Sequence, residues 1–553
     1  MKHLTYLFIF FTSLSSFSHE IEQQWHFESI TYVNDTTPLR SIGANDVMNI
    51  NDDGTFDYAI ASANLTAEGN WELNGNVLSL SYTLPNDTTR FFNIVTSQQR
   101  LILNENGINY TFVSKSTISS SGFQFKNVVR GLLAILALIA IAVLFSRDRK
   151  NINWHLVWRG LLIQIIFAVA ILKIPFVQKT FDWLSSVFVT ILNFTQDGSI
   201  FLFGGLIENT TSFGYIFAFQ VLPTIIFFSA LTSVLFYYGI LQKVVYYVAL
   251  LMKKTLSLSG SESLAAIGNI FLGQTESPLL IKPYIEKMTL SELLCLMSGG
   301  MATIAGGVLA AYIGFLGGND PQQQLFFAKH LLAASVMSAP AAVVAAKLLL
   351  PETQETNQDM TISDEQIGSN VLEAISIGTT QGIKLAVNVG AMLLVFIAFI
   401  SMINYFFGEF IGASTGLNNW VKNITNGTYE ELSLEFILGY TLAPLTWIMG
   451  VCKQDMVLVG QLLGQKTILN EFVAYVSLGE LKAAGQFFEE RSIIIATYIL
   501  CGFANFSSIG IQIGGISAIA PSRTKDLSKL GMLALLAGTL ACLFTAVVVG
   551  MIL

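Results

Sequence analysis

The chain has 553 residues, of which 53% are apolar and only 12% charged, with a mean hydropathy of +0.59. This composition excludes a soluble fold of such size and defines a polytopic membrane protein. The net charge of −8 is spread through loops without a basic block, which argues against nucleic acid as a partner. The four cysteines, Cys295, Cys452, Cys501 and Cys542, lie in or beside apolar segments, with the spacing of neither a disulfide framework nor a zinc site.

Residues 1–18 combine Lys2 and His3 with an apolar run from Leu4 to Leu14 and then small polar residues to Ser18. The run is too short to span a bilayer and reads as a secretory signal with a plausible cut near Ser18, with an uncleaved anchor as the alternative. Residues 19–115 are polar, with alternating runs such as WELNGNVLSLSY and LILNENGINYTFV. Asp-Gly or Asn-Gly pairs at 53–54, 74–75 and 106–107 are hairpin signals, so a small, exported, antiparallel β domain is expected, lipocalin-like in its turn spacing. It carries no catalytic constellation and reads as a cap or stabilising module.

A serine-rich linker, 116–126, leads to apolar runs at 127–145, 156–174, 215–238, 292–316, 325–350, 385–404, 492–514 and 530–552, each long enough to cross the hydrocarbon core. Between the third and fourth, residues 261–288 hold two half-span pieces separated by GQTE. Residues 434–476 hold a second interrupted stretch with Pro444, Gly450 and GQKTILNEFVAY. Non-helical backbone at membrane depth must lie inside protein, facing ligand or water, so both stretches are expected to be re-entrant hairpins. The layout is then scaffold helices in 127–260, a first transport repeat in 261–351, a loop and scaffold helix in 352–433, and a second repeat in 434–553. The expected fold is an all-α membrane protein with about eight spans and two oppositely inserted hairpins in inverted repeats, behind the small β domain.

Basic residues set the expected orientation. Arg147, Arg149, Lys150, Lys253, Lys254, Arg523, Lys525 and Lys529 fall on one side, the cytoplasm, leaving the β domain and the C-terminus outside.

An ionisable group at membrane depth costs about 2.5–3.5 kcal/mol on insertion scales, so Glu276 and Glu471 each require a compensating role. A carboxylate capping a half-helix N-terminus is the structural explanation; accepting hydrogen bonds from a polar, uncharged substrate is the functional one. Gln274 and Thr275 beside Glu276 suit a planar group that both donates and accepts, such as a nucleobase edge. Asn505 and Ser508, three apart, share a helix face, and Phe503 offers an aromatic surface, against which stand helix–helix hydrogen bonding and ordinary packing. The segment SGGMATIAGG, 298–307, has four glycines within a span and is expected to unwind, against which stands close helix packing through small residues. Its freed carbonyls, the Thr303 hydroxyl and the side-chain oxygen of Asn269 would form an oxygen-only pocket for a small hard cation; a proton carried by Glu276 or Glu471 is the alternative.

Several long segments, GNIFLGQTESPLLIKPY, SGGMATIAGGVLAAYIGF, LAVNVGAMLLVFIAF, LNEFVAY and SIIIATYILCGFANFSSIGIQIGG, resemble the signature segments of the concentrative nucleoside transporter family, over residues 127–553. The resemblance implies a homotrimer in a cytoplasmic membrane, importing nucleosides with sodium by alternating access, and no enzymatic activity. It implies that Gln274, Thr275 and Glu276 contact the base, with Gly273 and Val308 shaping its pocket. It further implies that Glu471, Asn505 and Ser508 bind the ribose hydroxyls, that Phe503 packs against the nucleoside, and that Asn269, Thr303 and the carbonyls of Leu272 and Ile304 bind Na+. The rivals are a proton-coupled symporter, a nucleoside-permeable channel, and an intramembrane enzyme with Glu276 and Glu471 as acid and base, for which the sequence offers no nucleophile, metal set or nearby His.

Overall fold

The computed structural model describes residues 24–32, 47–51, 53–60, 65–74, 77–84, 87–97, 100–105, 107–113, 125–208, 216–318, 320–362, 368–425 and 429–553. The expected signal, 1–18, and nearly all of the expected linker lie outside them. The chain divides into two compact units, an N-terminal β unit and a helical unit.

The β unit has eight strands: β1 (Gln24–Tyr32), β2 (Val47–Ile50), β3 (Thr55–Ile60), β4 (Leu65–Asn74), β5 (Val77–Leu84), β6 (Thr88–Ser97), β7 (Arg100–Glu105) and β8 (Ile108–Val113). Each pairs antiparallel with the next, and β8 closes on β1, forming a barrel without free edges. Alternation does the sorting: in β5, Leu78, Leu80 and Tyr82 are buried, joining Trp25, Phe56, Leu101 and Phe112 inside, while Val77 faces outward and Leu84 is exposed at the strand end. Gly54 and Gly107 have φ of +83° and +80°, the left-handed backbone that tight reversals between strands require. Beside Gly54, the Asp53 carboxylate accepts from the Thr55 hydroxyl and N–H, which holds its pKa below the usual carboxylate value.

The helical unit opens with α1 (Phe125–Leu144), α2 (Trp154–Lys173), α3 (Pro175–Phe203) and α4 (Leu222–Tyr237). A first series follows: α5 (Ile240–Leu256), α6 (Gly260–Phe271), the short α7 (Ser277–Leu280) and α8 (Lys282–Ile285), α9 (Leu290–Ala302), α10 (Gly306–Gly317) and α11 (Pro321–Leu349). After the long α12 (Val371–Tyr405), which runs on as a π-helix to Ala413, and α13 (Leu417–Ile424), a second series begins. It comprises α14 (Leu434–Ile448), α15 (Met456–Ile468), α16 (Glu471–Ala483), α17 (Glu490–Leu500), α18 (Phe506–Ile519) and α19 (Thr524–Ile552). The two series match in order. Each has a leading helix, a helix ending in a tip, a helical return, a broken pair and a 29-residue closing helix.

α9, α11 and α19 pack on one another and are buried along most of their length, whereas α3 and α12 turn most of their surface outward. Eight helices among the described residues are long and apolar enough to cross a membrane. Their membership differs from the sequence expectation in two places. Pro175–Phe203 is one of them, hidden from a hydropathy reading by the polar residues Gln178, Lys179, Asp182 and Asp197 along it. The expected span at 492–514 is instead two helices, α17 and α18, parted at residues 501–505. Apolarity alone does not separate a lipid-facing span from a broken helix buried in protein. The expected span at 385–404 begins earlier, at Val371, through the polar stretch around Thr379 and Lys384.

α6 and α9 both start in capping boxes, Ser259 with Glu262 and Thr289 with Glu292. Lys347, near the end of α11, closes this buried corner. Its ammonium pairs with Glu262, lies 3.5 Å from Glu352 and donates to the Ser291 hydroxyl at 2.8 Å, while the Ser259 hydroxyl donates to Glu292 at 2.6 Å. Two carboxylates, Glu262 and Glu352, share this single ammonium, and Glu262 and Glu292 also stand at the positive ends of α6 and α9. Lys347→Met strands the carboxylates and is expected to cost about 3–5 kcal/mol. The check is thermal unfolding in detergent, where the melting temperature should fall; an unchanged value would remove the corner from the stability argument.

Candidate functional site

The first tip follows from the end of α6. Leu272 leaves the helix in an extended conformation, and the N–H groups of Glu276 and Ser277 then both bond to the carbonyl of Gly273, at 3.1 and 3.0 Å, which folds the GQTE segment into a compact turn. Glu276 stands at the start of α7 but makes no side-chain capping bond. Its carboxylate folds back over Gly273, where a Cβ would lie 2.1 Å from Oε2, and that oxygen has no hydrogen-bond partner. The space left by the absent Gly273 side chain is therefore taken by the chain's own carboxylate.

Gly273→Ala should displace Glu276 without unfolding the tip, because the colliding atom ends a flexible side chain. The expected result is an unchanged melting temperature with the affinity for a ligand bound at this tip lowered roughly tenfold, since small misplacements of a binding group are costly. Ligand titration of the purified protein measures it; an unaltered affinity would contradict the packing argument.

Glu276, Gly273, Leu272 and Val308 line an open-sided recess, completed by Ser229, Thr232 and Ser233 of α4 and Gln381 of α12. Its mixed apolar and polar lining suits part of a small polar molecule. Gln274 lies against Gly300 of α9 and donates to the Ser508 hydroxyl at 3.4 Å, while its own Oε1 has no partner. Thr275 sits against Gly515 of α18, close enough that a Cβ there would lie 3.0 Å from its methyl.

In the second half α15 ends at Ile468, and Asn470 caps α16 by accepting from the N–H of Val473 at 2.9 Å. That leaves Glu471, 3% exposed, for other partners: the Asn505 amide donates to its Oε2 at 2.6 Å and the Tyr312 hydroxyl to its Oε1 at 3.2 Å. Asn505 in turn caps α18, its Oδ1 accepting from the N–H of Ser508 at 2.9 Å and the Ser507 hydroxyl at 2.6 Å. A continuous chain of groups thus runs from Gln274 through Ser508 and Asn505 to Glu471, joining the first tip to the second. Glu471, Asn505 and Phe503 do not line the recess; Phe503 is buried in the break between α17 and α18.

The break between α9 and α10 falls at residues 303–305, within the glycine-rich segment expected to unwind. The Thr303 hydroxyl donates to the carbonyl of Gly299 at 2.9 Å, which leaves its lone pairs free to face a cation. Asn269 donates through Nδ2 to the carbonyl of Leu296 at 3.3 Å, and its Oδ1, buried, has no partner. Leu272 and Ile304, both buried, occupy the non-helical ends of α6 and α9, where helix carbonyls lack intrahelical donors. An orphaned buried oxygen among neutral oxygen donors fits a hard monovalent cation. Among the described residues no cluster of His, Cys, Asp or Glu could hold a metal ion. The two breaks abut: Gly502, at φ +127°, lies so close to α9 that a Cβ would be 2.7 Å from the Met301 carbonyl.

Two residues of this network escape a sequence reading. Gln512 donates to the carbonyl of Met297 at 2.9 Å and keeps an unpartnered Oε1; it lies four residues after Ser508, so the face shared by Asn505 and Ser508 was the available signal. Tyr312 had none, since its hydroxyl reaches Glu471 across 159 positions of sequence.

Buried polar tips, abutting broken helices and two matching helix series define a multi-pass membrane protein of transporter type. Comparison with known proteins makes this specific. Models described as the Na+ dependent nucleoside transporter N-terminus, nucleoside recognition (Gate) and the Na+ dependent nucleoside transporter C-terminus match residues 133–206, 218–319 and 330–550, and a lipocalin-like domain model matches 21–103. An uncharacterized transporter of Haemophilus influenzae is 40% identical over 429 residues, covering 77% of this chain and 98% of that protein. Solute carrier family 28 member 3 of Eptatretus stoutii is 40% identical over 441 residues, but the match spans only 61% of that relative's length. The structure of CNTnw in an inward-facing substrate-bound state aligns with a TM-score of 0.69 at 39% identity, covering 77% of this chain and 98% of that one. The chain belongs to the concentrative nucleoside transporter family.

Proposed function

We propose that this protein is a sodium-coupled symporter that imports nucleosides across the cytoplasmic membrane by alternating access. The observation carrying this reading is the chain of side chains from Gln274 through Ser508 and Asn505 to Glu471, which links the tips of the two helix series beside the recess. In it Gln274 and Glu276, through their unpartnered oxygens, recognise the base together with the Thr275 hydroxyl, and Gly273 and Val308 shape the space around it. Glu471, Asn505 and Ser508 take the ribose hydroxyls, exchanging their mutual hydrogen bonds for bonds to substrate, and Phe503 packs against the nucleoside.

Sodium is held by Asn269, Thr303 and the carbonyls of Leu272 and Ile304. Because Asn269 and Leu272 flank the end of α6 and Gln274 follows directly, a bound cation fixes the first tip before the base arrives. Moving one positive charge inward through 100 mV supplies about 2.3 kcal/mol, which with a sodium gradient drives accumulation of a neutral solute. The two tips are re-entrant hairpins inserted from opposite faces, the β domain and C-terminus lie outside, and the outward apolar faces of α3 and α12 meet lipid and the other protomers of a homotrimer.

Uptake of labelled uridine into proteoliposomes, with sodium and then with choline outside, tests the reading. Saturable uptake that requires sodium and delivers intact nucleoside supports it. Sodium-independent uptake driven by a proton gradient would replace sodium by a proton, and non-saturable flux would mean a channel.

A further inference from the structure

The second helix series has its own cation at the position where the first offers its orphaned oxygen. Asn269 is the third residue from the end of α6, and Lys466 is the third from the end of α15. The sequences run in parallel from there: Asn269-Ile-Phe-Leu272 leads into the first tip, and Lys466-Thr-Ile-Leu469 into the second. Each of these helices is followed by a tip, a helical return and a helix that breaks, α9 at residue 303 and α17 at residue 501.

Lys466 is 1% exposed, and its ammonium donates to the carbonyl of Ile499, the penultimate residue of α17, at 2.9 Å. Carbonyls at such a helix end carry partial negative charge and lack intrahelical partners, so a cation there is stabilised. The neighbouring carbonyl of Cys501 is met by the thiol of Cys542 at 2.7 Å, and Cys542 also approaches the carbonyl of Ala302 in the first series. The broken ends of both series thus come together against one position of α19, one beside the neutral Asn269 and the other beside an ammonium.

We propose that the Lys466 ammonium is a tethered cation standing in the second helix series where the first requires sodium, so that it holds the second tip, and with it Glu471, permanently in place. The assignment rests on the symport reading above and deepens it. The first tip waits for an ion before it is ordered; the second is ordered by the chain itself. Lys466 is a positioning residue, with no contact to substrate.

Three variants of the full-length protein test this. Lys466→Arg keeps a charge and should retain sodium-driven uridine uptake close to wild type. Lys466→Asn restores a neutral oxygen like that of Asn269, and should make activation by sodium steeper and shift it to higher concentration, with a larger stabilisation of the melting temperature by sodium chloride over choline chloride than wild type shows. Lys466→Met supplies neither charge nor oxygen and should lose uptake without gaining any sodium response. Identical sodium responses in the Asn and Met variants, whether both are active or both inert, would overturn the proposal. Should those variants not fold, the wild type decides: charge moved per nucleoside should correspond to one sodium, and a ratio of two would remove the need for a tethered cation. Uptake indifferent to sodium would instead sink the symport reading itself, so the two failures are distinguishable.

Discussion

Glu471→Gln is expected to lower uridine uptake at subsaturating concentration by roughly 10- to 100-fold while leaving the protein folded. Both partners of the carboxylate, the Asn505 amide and the Tyr312 hydroxyl, donate to it. Asn505 cannot turn over to present its oxygen, because that oxygen is already committed to the N–H of Ser508 and the Ser507 hydroxyl. A glutamine amide can accept from Asn505 through its oxygen and turn its N–H to the Tyr312 oxygen, but it replaces a charged acceptor with a neutral one and leaves no acceptor spare for a substrate hydroxyl. A hydrogen bond to a charged acceptor is worth about 1.5–3 kcal/mol, which sets the size of the loss. The measurement is initial uptake into proteoliposomes at matched protein density, with the melting temperature as a control for folding. Unchanged uptake would contradict the role given to Glu471 in substrate binding.

Asn269→Ala should raise the sodium concentration for half-activation by at least about tenfold, with less effect on uptake at saturating sodium. Its Oδ1 has no partner, and the Thr303 hydroxyl donates away from the site, so both oxygens are available to a cation and to nothing else described nearby. Loss of one polar partner at a metal site commonly costs about 10- to 100-fold in affinity. Thr303→Ser, which keeps the hydroxyl, should behave like the wild type, and Thr303→Val like the Asn269 variant. Sodium titrations of uptake at fixed uridine provide the test. Parallel loss at all sodium concentrations, with no shift in half-activation, would assign these residues to the fold rather than to the ion.

How much of this was legible in the sequence depended on whether a feature is local. The hairpin turns at Gly54 and Gly107 were, because a positive φ is demanded of those residues by their own backbone. The β domain was, because alternation along β5 sorts side chains without help from elsewhere. So was the unwinding near Thr303, where glycines at 299, 300, 306 and 307 leave little holding a helix together. The interruption at residues 501–505 was not, because its segment is as apolar as a span and only the abutment of Gly502 on Met301 reveals why it breaks. The helix Pro175–Phe203 was missed for the opposite reason, its polar residues masking its continuity.

The sequence by itself determined the inventory: a membrane protein with a small β domain and carboxylates too costly to bury without purpose. Only the tertiary structure decided which groups meet. Gln274 reaches Ser508 across 234 positions and Tyr312 reaches Glu471 across 159, pairings that no helix period or turn rule encodes. Hydrogen bonds act over about 3 Å of space, not along the chain, so their partners are fixed when the helices pack. The same packing sets Lys466 against the open end of α17, giving a lysine that reads as one more polar residue of GQKTILNEF its proposed purpose.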